Sequence, residues 1–319
     1  MADSGLENPN EPVSAPEPAQ VEQLADGVYA LITGGDPNTG FIVGEKGVVV
    51  VDARATPALA QETLAAIRNV TDKPIRYLVL THYHAVRALG ASGLGAEHII
   101  AHRGTRYLIN ERGKQDFESE ARRFPRLFQD IKSIAGLTHP DICYDGMMIL
   151  DTGNREVQLH WLGRGHTEGD TVVWLPADRV LFAGDLVEAS AAPYCGDAYM
   201  QDWIGTLKGV RALGAHTVVP GRGAVVRDEA VNQAIDETQA YLIILRNSVR
   251  AAVLREATIA EAYHDAEVAL TPRFGNWAIF KHCLPFNVQR MYDELSGTRP
   301  RIWTESRDTA LWKELVPVT

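Results

Sequence analysis

Two histidine motifs, each beside an apolar run, constrain this chain more than any other feature. His82 and His84 follow an apolar run at residues 75–80, and His166 lies in a Gly-His-Thr turn just before a second run at residues 171–175. Runs of this length, bounded by glycine and polar residues, are typical of buried strands. Three neutral imidazoles are the ligand set of a catalytic metal site that keeps an open position. The spacing therefore predicts a sheet protein with a metal site on its edge loops.

Two further apolar runs end at charged residues. Residues 180–182 lead to Asp185, and residues 217–219 lead to Arg222 in a Pro-Gly-Arg-Gly turn. Side chains are thus delivered from four strand ends, as a metal site built on sheet-edge loops requires. Together the four blocks resemble the metallo-β-lactamase superfamily over residues 22–225. The resemblance implies an α/β fold, a four-layer αββα sandwich, followed here by a C-terminal helical and aromatic extension.

The chain departs from the family pattern at three ligand positions. The family carries His-x-His-x-Asp-His and Pro-Gly-His-Gly, and this chain has Val86, Arg87 and Arg222 where the pattern has ligands. Valine has no donor atom, and a guanidinium group stays protonated and offers no lone pair. A second divalent ion therefore has no site, and one metal ion per chain is predicted. The metal ligands that remain are His82, His84, His166 and Asp185.

Arg87 and Arg222 have two alternative roles. As catalytic residues they would replace the positive field of the missing ion and bind a carboxylate, nitro or phosphoryl oxygen of the substrate. As structural residues they would pair with Asp185 and hold the unused site together. Asp185 itself is either a fourth ligand or the group that orients or deprotonates water. A decayed, inactive site is a third hypothesis, but retention of every first-site ligand argues against it.

The expected function is hydrolysis. Zinc on three histidines lowers the pKa of bound water, so that hydroxide is available at about pH 7. A single zinc-bound hydroxide suits an ester, a lactone or an activated aromatic substrate better than a phosphodiester, which two metals normally clamp. We expect a small-molecule substrate that is anionic or electron-poor. Two alternatives remain: a mononuclear non-haem iron dioxygenase of sulfur compounds that uses Fe2+, and a metal-stabilised subunit that supports an active partner without catalysis.

Composition limits the partners of this chain. Its net charge of −10 disfavours nucleic acid and anionic membranes. No run approaches the roughly 18 apolar residues that span a bilayer, and the start of the chain lacks the pattern of a secretory signal. The three cysteines are odd in number and far apart, which argues against a disulfide framework. We therefore expect a cytoplasmic protein. Cys195 is the cysteine expected to approach the site.

Three segments are predicted along the chain. Residues 1–20 combine four acidic residues and four prolines with no basic residue, so a disordered tail is expected. Residues 21–225 form the core. Asp52 ends the strand predicted at residues 48–51, where the resemblance implies an aspartate that braces the ligand loop. Residues 106–134 form a charged helical stretch over the pocket. Residues 226–319 form a helical extension whose aromatic side chains require burial. They are buried either on the surface of the core domain or against another subunit, and we favour an interface between identical or related subunits.

Metal analysis tests the predicted stoichiometry. Because Val86 and Arg87 cannot ligate a cation, protein purified without added metal and then saturated with zinc should bind close to one ion per chain. Inductively coupled plasma mass spectrometry on protein of known concentration gives this ratio. Two tightly bound transition-metal ions per chain would contradict the prediction.

Overall fold

The computed structural model describes residues 18–315. The predicted tail, residues 1–20, lies outside these residues except for its last three. The strands are β1 (Gln20–Ala25), β2 (Val28–Ile32), β3 (Thr39–Val43), β4 (Val48–Val51), β5 (Ile75–Val79), β6 (His98–His102), β7 (Ile142–Tyr144), β8 (Met147–Asp151), β9 (Glu156–His160), β10 (Val172–Leu175), β11 (Val180–Phe182), β12 (Thr217–Val219) and β13 (Val226–Arg227). The α-helices are α1 (Pro57–Arg68), α2 (Ala85–Ala88), α3 (Arg103–Arg123), α4 (Met200–Ala212), α5 (Glu229–Leu254), α6 (Ile259–Phe274), α7 (Phe280–Leu295) and α8 (Glu305–Leu315).

Two sheets carry the loops that hold the predicted site. The first has the order β1-β2-β3-β4-β5-β6-β7, and the second has the order β13-β12-β11-β10-β9-β8. β5 pairs in parallel with both β4 and β6, and β11 pairs in parallel with β12. His82 follows β5, Asp185 follows β11, Arg222 follows β12, and His166 lies between β9 and β10. The predicted delivery of these side chains from four strand ends is confirmed.

Successive side chains of a strand face opposite sides of its sheet, and this alternation builds the layers of the sandwich. β4 consists of four buried valines: Val49 and Val51 face the second sheet, whereas Val48 and Val50 pack outward in the cluster that includes Ile67 of α1. A strand buried on both faces is expected to be apolar throughout. The outer face of the second sheet is covered by α4 and by the C-terminal helices. The αββα sandwich with added C-terminal helices is therefore confirmed.

The C-terminal helices share a hydrophobic core with the second sheet. Buried residues of β10, β11 and β12 belong to one cluster with those of α5, α6 and α7. Phe286 and Trp303 are buried in this cluster, and Trp312 packs against it. The aromatic side chains from which a subunit interface was predicted are thus largely buried within the chain itself. The segment boundaries and the oligomeric state stay predictions.

Two predicted helical stretches are interrupted for local reasons. The stretch expected over residues 106–134 is α3 followed by the 3-10 turns Pro125–Phe128 and Ile131–Ser133, because a proline disfavours helical backbone at the residue before it. The first part of the helical extension predicted over residues 226–319 divides into α5 and α6. Thr258 and Glu261 form a capping box that begins α6. Among residues 18–315, no helix has the length and apolar character needed to cross a membrane.

Candidate metal centre

The three predicted histidine ligands lie together in the protein interior. The ring centroids of His82, His84 and His166 are 4.6 to 4.8 Å apart, and each residue is at most 2% exposed. Their candidate ligand atoms all lie within 4.8 Å of one another. His84 Nδ1 is 3.0 Å from His166 Nε2. His82 Nε2 is buried and has no hydrogen-bond partner among residues 18–315. The unpartnered nitrogen of His82, beside two nitrogens that hydrogen-bond to each other, fits a metal ion bound by all three rings.

Hydrogen bonds on the outer nitrogens fix two of the rings. Thr81 Oγ1 donates to Asp52 Oδ2 at 2.8 Å, so it accepts from His82 Nδ1 at 3.0 Å. His166 Nδ1 donates to the Tyr194 carbonyl oxygen at 2.8 Å. Each contact leaves Nε2 with its lone pair, the tautomer that a metal ligand requires. The other carboxylate oxygen of Asp52 accepts the Thr81 backbone N–H at 2.8 Å. Asp52 thus holds both the side chain and the backbone of the residue before His82, as its predicted bracing role requires.

His84 faces two carboxylates on its outer side. Its Nε2 lies 3.4 Å from Asp197 Oδ2 and 3.8 Å from Asp116 Oδ1. Burial lowers the pKa of His84, but these carboxylates outweigh it and raise that pKa to about 9. Burial lowers the pKa of His166 to about 3. In the absence of metal, a proton on His84 Nδ1 therefore points at the neutral Nε2 of His166. A metal ion bound by both nitrogens has to displace that proton.

The buried face of α3 is polar and supports the His84 turn. Asp116 Oδ2 accepts the Ala85 N–H at 2.7 Å, and Glu120 Oε2 accepts the Val86 N–H at 2.8 Å. These carboxylates satisfy backbone donors at the start of α2, directly after His84. Sequence reasoning missed both residues. The sequence signal that could have identified them is the presence of two acidic residues one helical turn apart.

The segment between β11 and α4 supplies further residues that the sequence analysis missed. Tyr194 contributes its carbonyl group to His166, and Asp197 contributes a carboxylate to His84. Cys195, which was expected to approach the site, lies between them and is fully buried. Its sulfur lies 3.6 Å from the Pro193 carbonyl oxygen. The segment thus supports the centre through the neighbours of Cys195.

Asp185 lies between the imidazoles and two guanidinium groups. Its Oδ2 is 3.6 Å from His166 Nε2 and 3.8 Å from His82 Nε2. Arg87 Nη2 donates to Oδ1, and Arg222 Nη1 donates to Oδ2 at 2.8 Å. Burial alone would raise the pKa of Asp185, but the two arginines outweigh it and hold that pKa well below its usual range. Asp185 therefore remains a carboxylate.

These contacts extend into a buried charge ladder of alternating sign. Arg87 Nη1 also donates to Asp52 Oδ2 at 3.1 Å, and Arg222 Nη1 also donates to Glu188 Oε1 at 3.2 Å. Burial raises the pKa of Asp52 to about 6 and that of Glu188 to about 8, but both oxygens of Glu188 accept N–H groups of Arg222, which is the geometry of an ionised carboxylate. The ladder's three central members, Arg87, Asp185 and Arg222, stand at positions where the family pattern has ligands of the second metal ion. In order, it consists of Asp52, Arg87, Asp185, Arg222 and Glu188.

The two arginines differ in how many donors they have left. The four Nη hydrogens of Arg87 are directed to Asp52, Asp185 and the carbonyl oxygens of Asn38 and Gly221, the last two at 2.7 and 2.8 Å. Arg222 uses only Nη1, and its Nε and Nη2 donate to no residue between 18 and 315. Arg222 thus retains three N–H donors for another group. Arg87 retains only a buried Nε–H.

Close packing fixes the turn that carries Arg222. A Cβ atom added at Gly221 would lie 2.5 Å from Asp185 Oδ1, so only glycine fits beside the ladder. Asn38 Nδ2 donates to the carbonyl oxygens of Pro220 and Gly223 at 3.0 and 2.8 Å. These bonds tie the turn after β12 to the loop between β2 and β3.

Comparison with known proteins agrees with this geometry. Residues 32–222 match the metallo-beta-lactamase superfamily. The chain belongs to that superfamily. The metallo-beta-lactamase type 2 of Bacillus cereus is 29% identical over 195 residues, which cover 59% of this chain and 68% of the relative. The metallo-beta-lactamase type 2 of Bacteroides fragilis is 25% identical over 238 residues, 68% and 87% of the two chains. Membership of the superfamily indicates a hydrolase.

Solved structures share the fold at low sequence identity. A stereoselective inverting sec-alkylsulfatase from Pseudomonas sp. matches 86% of this metallo-β-lactamase-fold chain with a TM-score of 0.69 and 17% identity. The chain spans half the length of that sulfatase. A metallo-beta-lactamase from Pontibacter korlensis matches 70% of the chain and 98% of its own length, with a TM-score of 0.57 and 20% identity. The match to the sulfatase covers 86% of this chain, a larger share than residues 21–225 make up. The shared architecture therefore extends beyond the predicted core.

Removing Arg87 tests whether the ladder is structural. Arg87→Ala leaves the buried carboxylates of Asp52 and Asp185 without a shared cation, a change that typically costs about 3–5 kcal/mol. Urea unfolding of the metal-free protein should show a loss of this size. Asp185→Asn in the same background should recover part of it, because one buried charge is removed. Unchanged stability in Arg87→Ala would show that Arg87 does not hold the site together.

Proton release tests the assignment at His84. Since the pKa of His84 is about 9, the ring carries two protons at about pH 7 and must lose one when Nδ1 becomes a ligand. Zinc titrations by calorimetry in buffers of different ionisation enthalpy measure this release. Asp197→Asn removes the carboxylate nearest to His84 Nε2, at 3.4 Å, whose own pKa is lowered to about 2 by His84 and Arg112 despite burial, so this variant should release fewer protons than the wild type. Equal release from both proteins would contradict the assignment.

Proposed function

We propose that this protein is a hydrolase with a single metal ion, zinc, held by His82, His84 and His166. The observation that carries the proposal is that a buried carboxylate and two guanidinium groups fill the second ligand set beside three inward-facing imidazoles. When bound at such a site, zinc supplies a water molecule of lowered pKa and a local positive charge. The remaining chemistry belongs to Asp185 and Arg222.

Asp185 orients the attacking water in this proposal. Two guanidinium groups hold the pKa of Asp185 well below its usual range, so it is a poor proton acceptor. It remains a good hydrogen-bond acceptor, because an ionised carboxylate has several lone pairs. Oδ2 lies on the side of the carboxylate that faces His82 and His166. Of the roles considered from the sequence, water orientation or ligation thus has more support than general-base catalysis.

Arg222 binds the developing oxyanion or an anionic substituent of the substrate. Its Nε and Nη2 have no acceptor among the described residues, and its side chain is still 7% exposed. The position of Nη1 is fixed by Asp185 and Glu188, so the free edge of the guanidinium plane is oriented before the substrate arrives. Such preorganised donors act on charge that develops in the transition state. Arg87 has the structural role, because all four of its Nη hydrogens are already donated and its Nε–H is buried.

The proposed substrates are small esters, lactones and activated aromatic compounds that are anionic or electron-poor. A guanidinium edge matches two oxygen atoms of a carboxylate, nitro or sulfate group. The substrates to be tested form a panel of these compounds. Sulfate esters are added to this panel because of that match, and because the fold is shared with a sec-alkylsulfatase. One nucleophile and one oxyanion site suffice for these reactions, whereas phosphodiester cleavage normally uses two metals.

Turnover on this panel tests the role of Arg222. Arg222→Ala should lower kcat/KM about 10²-fold or more, the cost of losing an oxyanion donor, with the metal still bound. Arg222→Lys should recover only part of the activity, because a point charge does not reproduce the planar fork. Arg227→Ala is the control, since Arg227 is exposed on β13 and pairs with Glu22. Undiminished turnover in Arg222→Ala would rule out this role for Arg222.

The same measurements separate the alternative functions. Iron in the purified protein, together with oxygen consumption on thiol substrates, would favour the dioxygenase. Full metal occupancy without turnover of any panel substrate would favour a non-catalytic subunit. Hydrolysis that is lost with the metal and restored by zinc supports the proposed hydrolase.

A further inference from the structure

We infer that the C-terminal extension contributes to metal binding, because it positions the segment that orients two of the three histidines. This segment, residues 191–198, contains Tyr194 and Asp197, the outer partners of His166 and His84. The inference rests on the proposed metal site at these histidines. It assigns positioning roles to Asn287 and Trp303, which lie about a hundred residues further along the chain.

Asn287 of α7 holds the segment on both sides of Tyr194. Its Oδ1 accepts the Cys195 N–H at 2.7 Å, and its Nδ2 donates to the Pro193 carbonyl oxygen at 2.8 Å. Asn287 is fully buried, so water does not replace these bonds if they are removed. One side chain therefore fixes the peptide group before Tyr194 and the peptide group that contains the Tyr194 carbonyl itself.

Further bonds from the extension hold the end of the segment that carries Asp197. Trp303 Nε1 donates to the Gly196 carbonyl oxygen at 3.1 Å, and Arg290 Nε donates to the Ala198 carbonyl oxygen at 2.8 Å. The peptide group before Asp197 and the peptide group after Ala198 are thus tied to the extension. Arg112 of α3 binds Asp197 Oδ1 at 2.9 Å and also the Pro300 carbonyl oxygen at 3.3 Å.

The beginning of the segment is anchored in the same way. Ala191 forms a parallel bridge with Ala278, just before α7. The Ala192 N–H donates to the Ala278 carbonyl oxygen at 2.9 Å, and the Ala278 N–H donates to Ser190 at 3.0 Å. Apart from this bridge the segment lies outside the named strands and helices. Its geometry therefore depends on bonds to other elements, and the extension supplies most of those described here.

Loosening this segment should weaken metal binding. The outer hydrogen bond of a ligating imidazole fixes the ring orientation and the tautomer, and its loss typically lowers metal affinity 10- to 100-fold. Asn287 and Trp303 act one step further out, through the backbone of Tyr194 and Asp197. If these residues only stabilised the fold, metal affinity at a temperature well below unfolding would not depend on them.

The test compares metal affinity in two variants of the full-length protein. Asn287→Ala removes both bonds beside Tyr194. Trp303→Phe removes one N–H donor and keeps an aromatic ring against Phe286, so it should fold even if Asn287→Ala does not. Competition with a chromophoric chelator should show zinc affinity lowered about tenfold, and the visible spectrum of the cobalt-substituted variants should change. Excess zinc should restore occupancy.

Leu270→Ala is the matched control. Leu270 is fully buried in α6 of the same extension, and no hydrogen bond connects its side chain with residues 191–198. The substitution should lower the unfolding temperature while leaving zinc affinity and the cobalt spectrum unchanged. Wild-type affinity in both Asn287→Ala and Trp303→Phe, or an equal loss in Leu270→Ala, would overturn the inference.

His166→Ala separates this inference from the proposed function. If His166→Ala binds zinc as tightly as the wild type, the proposed metal site is wrong. If His166→Ala loses zinc while the Asn287 and Trp303 variants keep full affinity, only the role of the extension is wrong. Neither result depends on knowing the substrate, because metal binding is the quantity measured.

Discussion

The buried ion pairs of Asp185 with Arg87 and Arg222 are the interaction on which this site depends. An isolated carboxylate in such a place would be driven to its neutral form, because burial disfavours the charge. Two guanidinium groups in hydrogen-bond contact reverse that preference. A negative charge therefore persists next to the nitrogens of His82 and His166. Such a charge favours a cation among the three imidazoles.

The charge ladder also limits the chemistry of the site. A second metal ion would offer an open coordination position and could activate another water molecule. A guanidinium group offers fixed N–H donors and cannot activate water, because it has no acceptor or exchangeable ligand. Buried ion pairs are weak evidence for stability, since desolvation can exceed the attraction between the charges. The ladder is thus better explained by what it presents to a ligand than by the stability it adds to the fold.

The sequence was sufficient to predict the framework of the site but not its support. Strands β11 and β12 have the bounds predicted from their apolar runs, because buried strands leave little room for polar residues. The inward carboxylates of α3 gave no such pattern. A helix that buries Asp116 and Glu120 has almost no hydrophobic periodicity, so the prediction of a charged helical stretch over the pocket did not identify these two residues. Polar residues that are buried against polar partners are invisible to a method that counts apolar side chains.

The outer partners of the histidines show a further limit. Tyr194 acts through its carbonyl group, which every residue possesses, so no side-chain pattern identifies it. Its position depends on Asn287, far along the chain, and His82 depends in the same way on Asp52 through Thr81. The rings are thus oriented from β4, from α3 and from the segment held by the C-terminal helices. A metal ion bound to all three joins these layers, and its binding free energy then contributes to the stability of the whole fold.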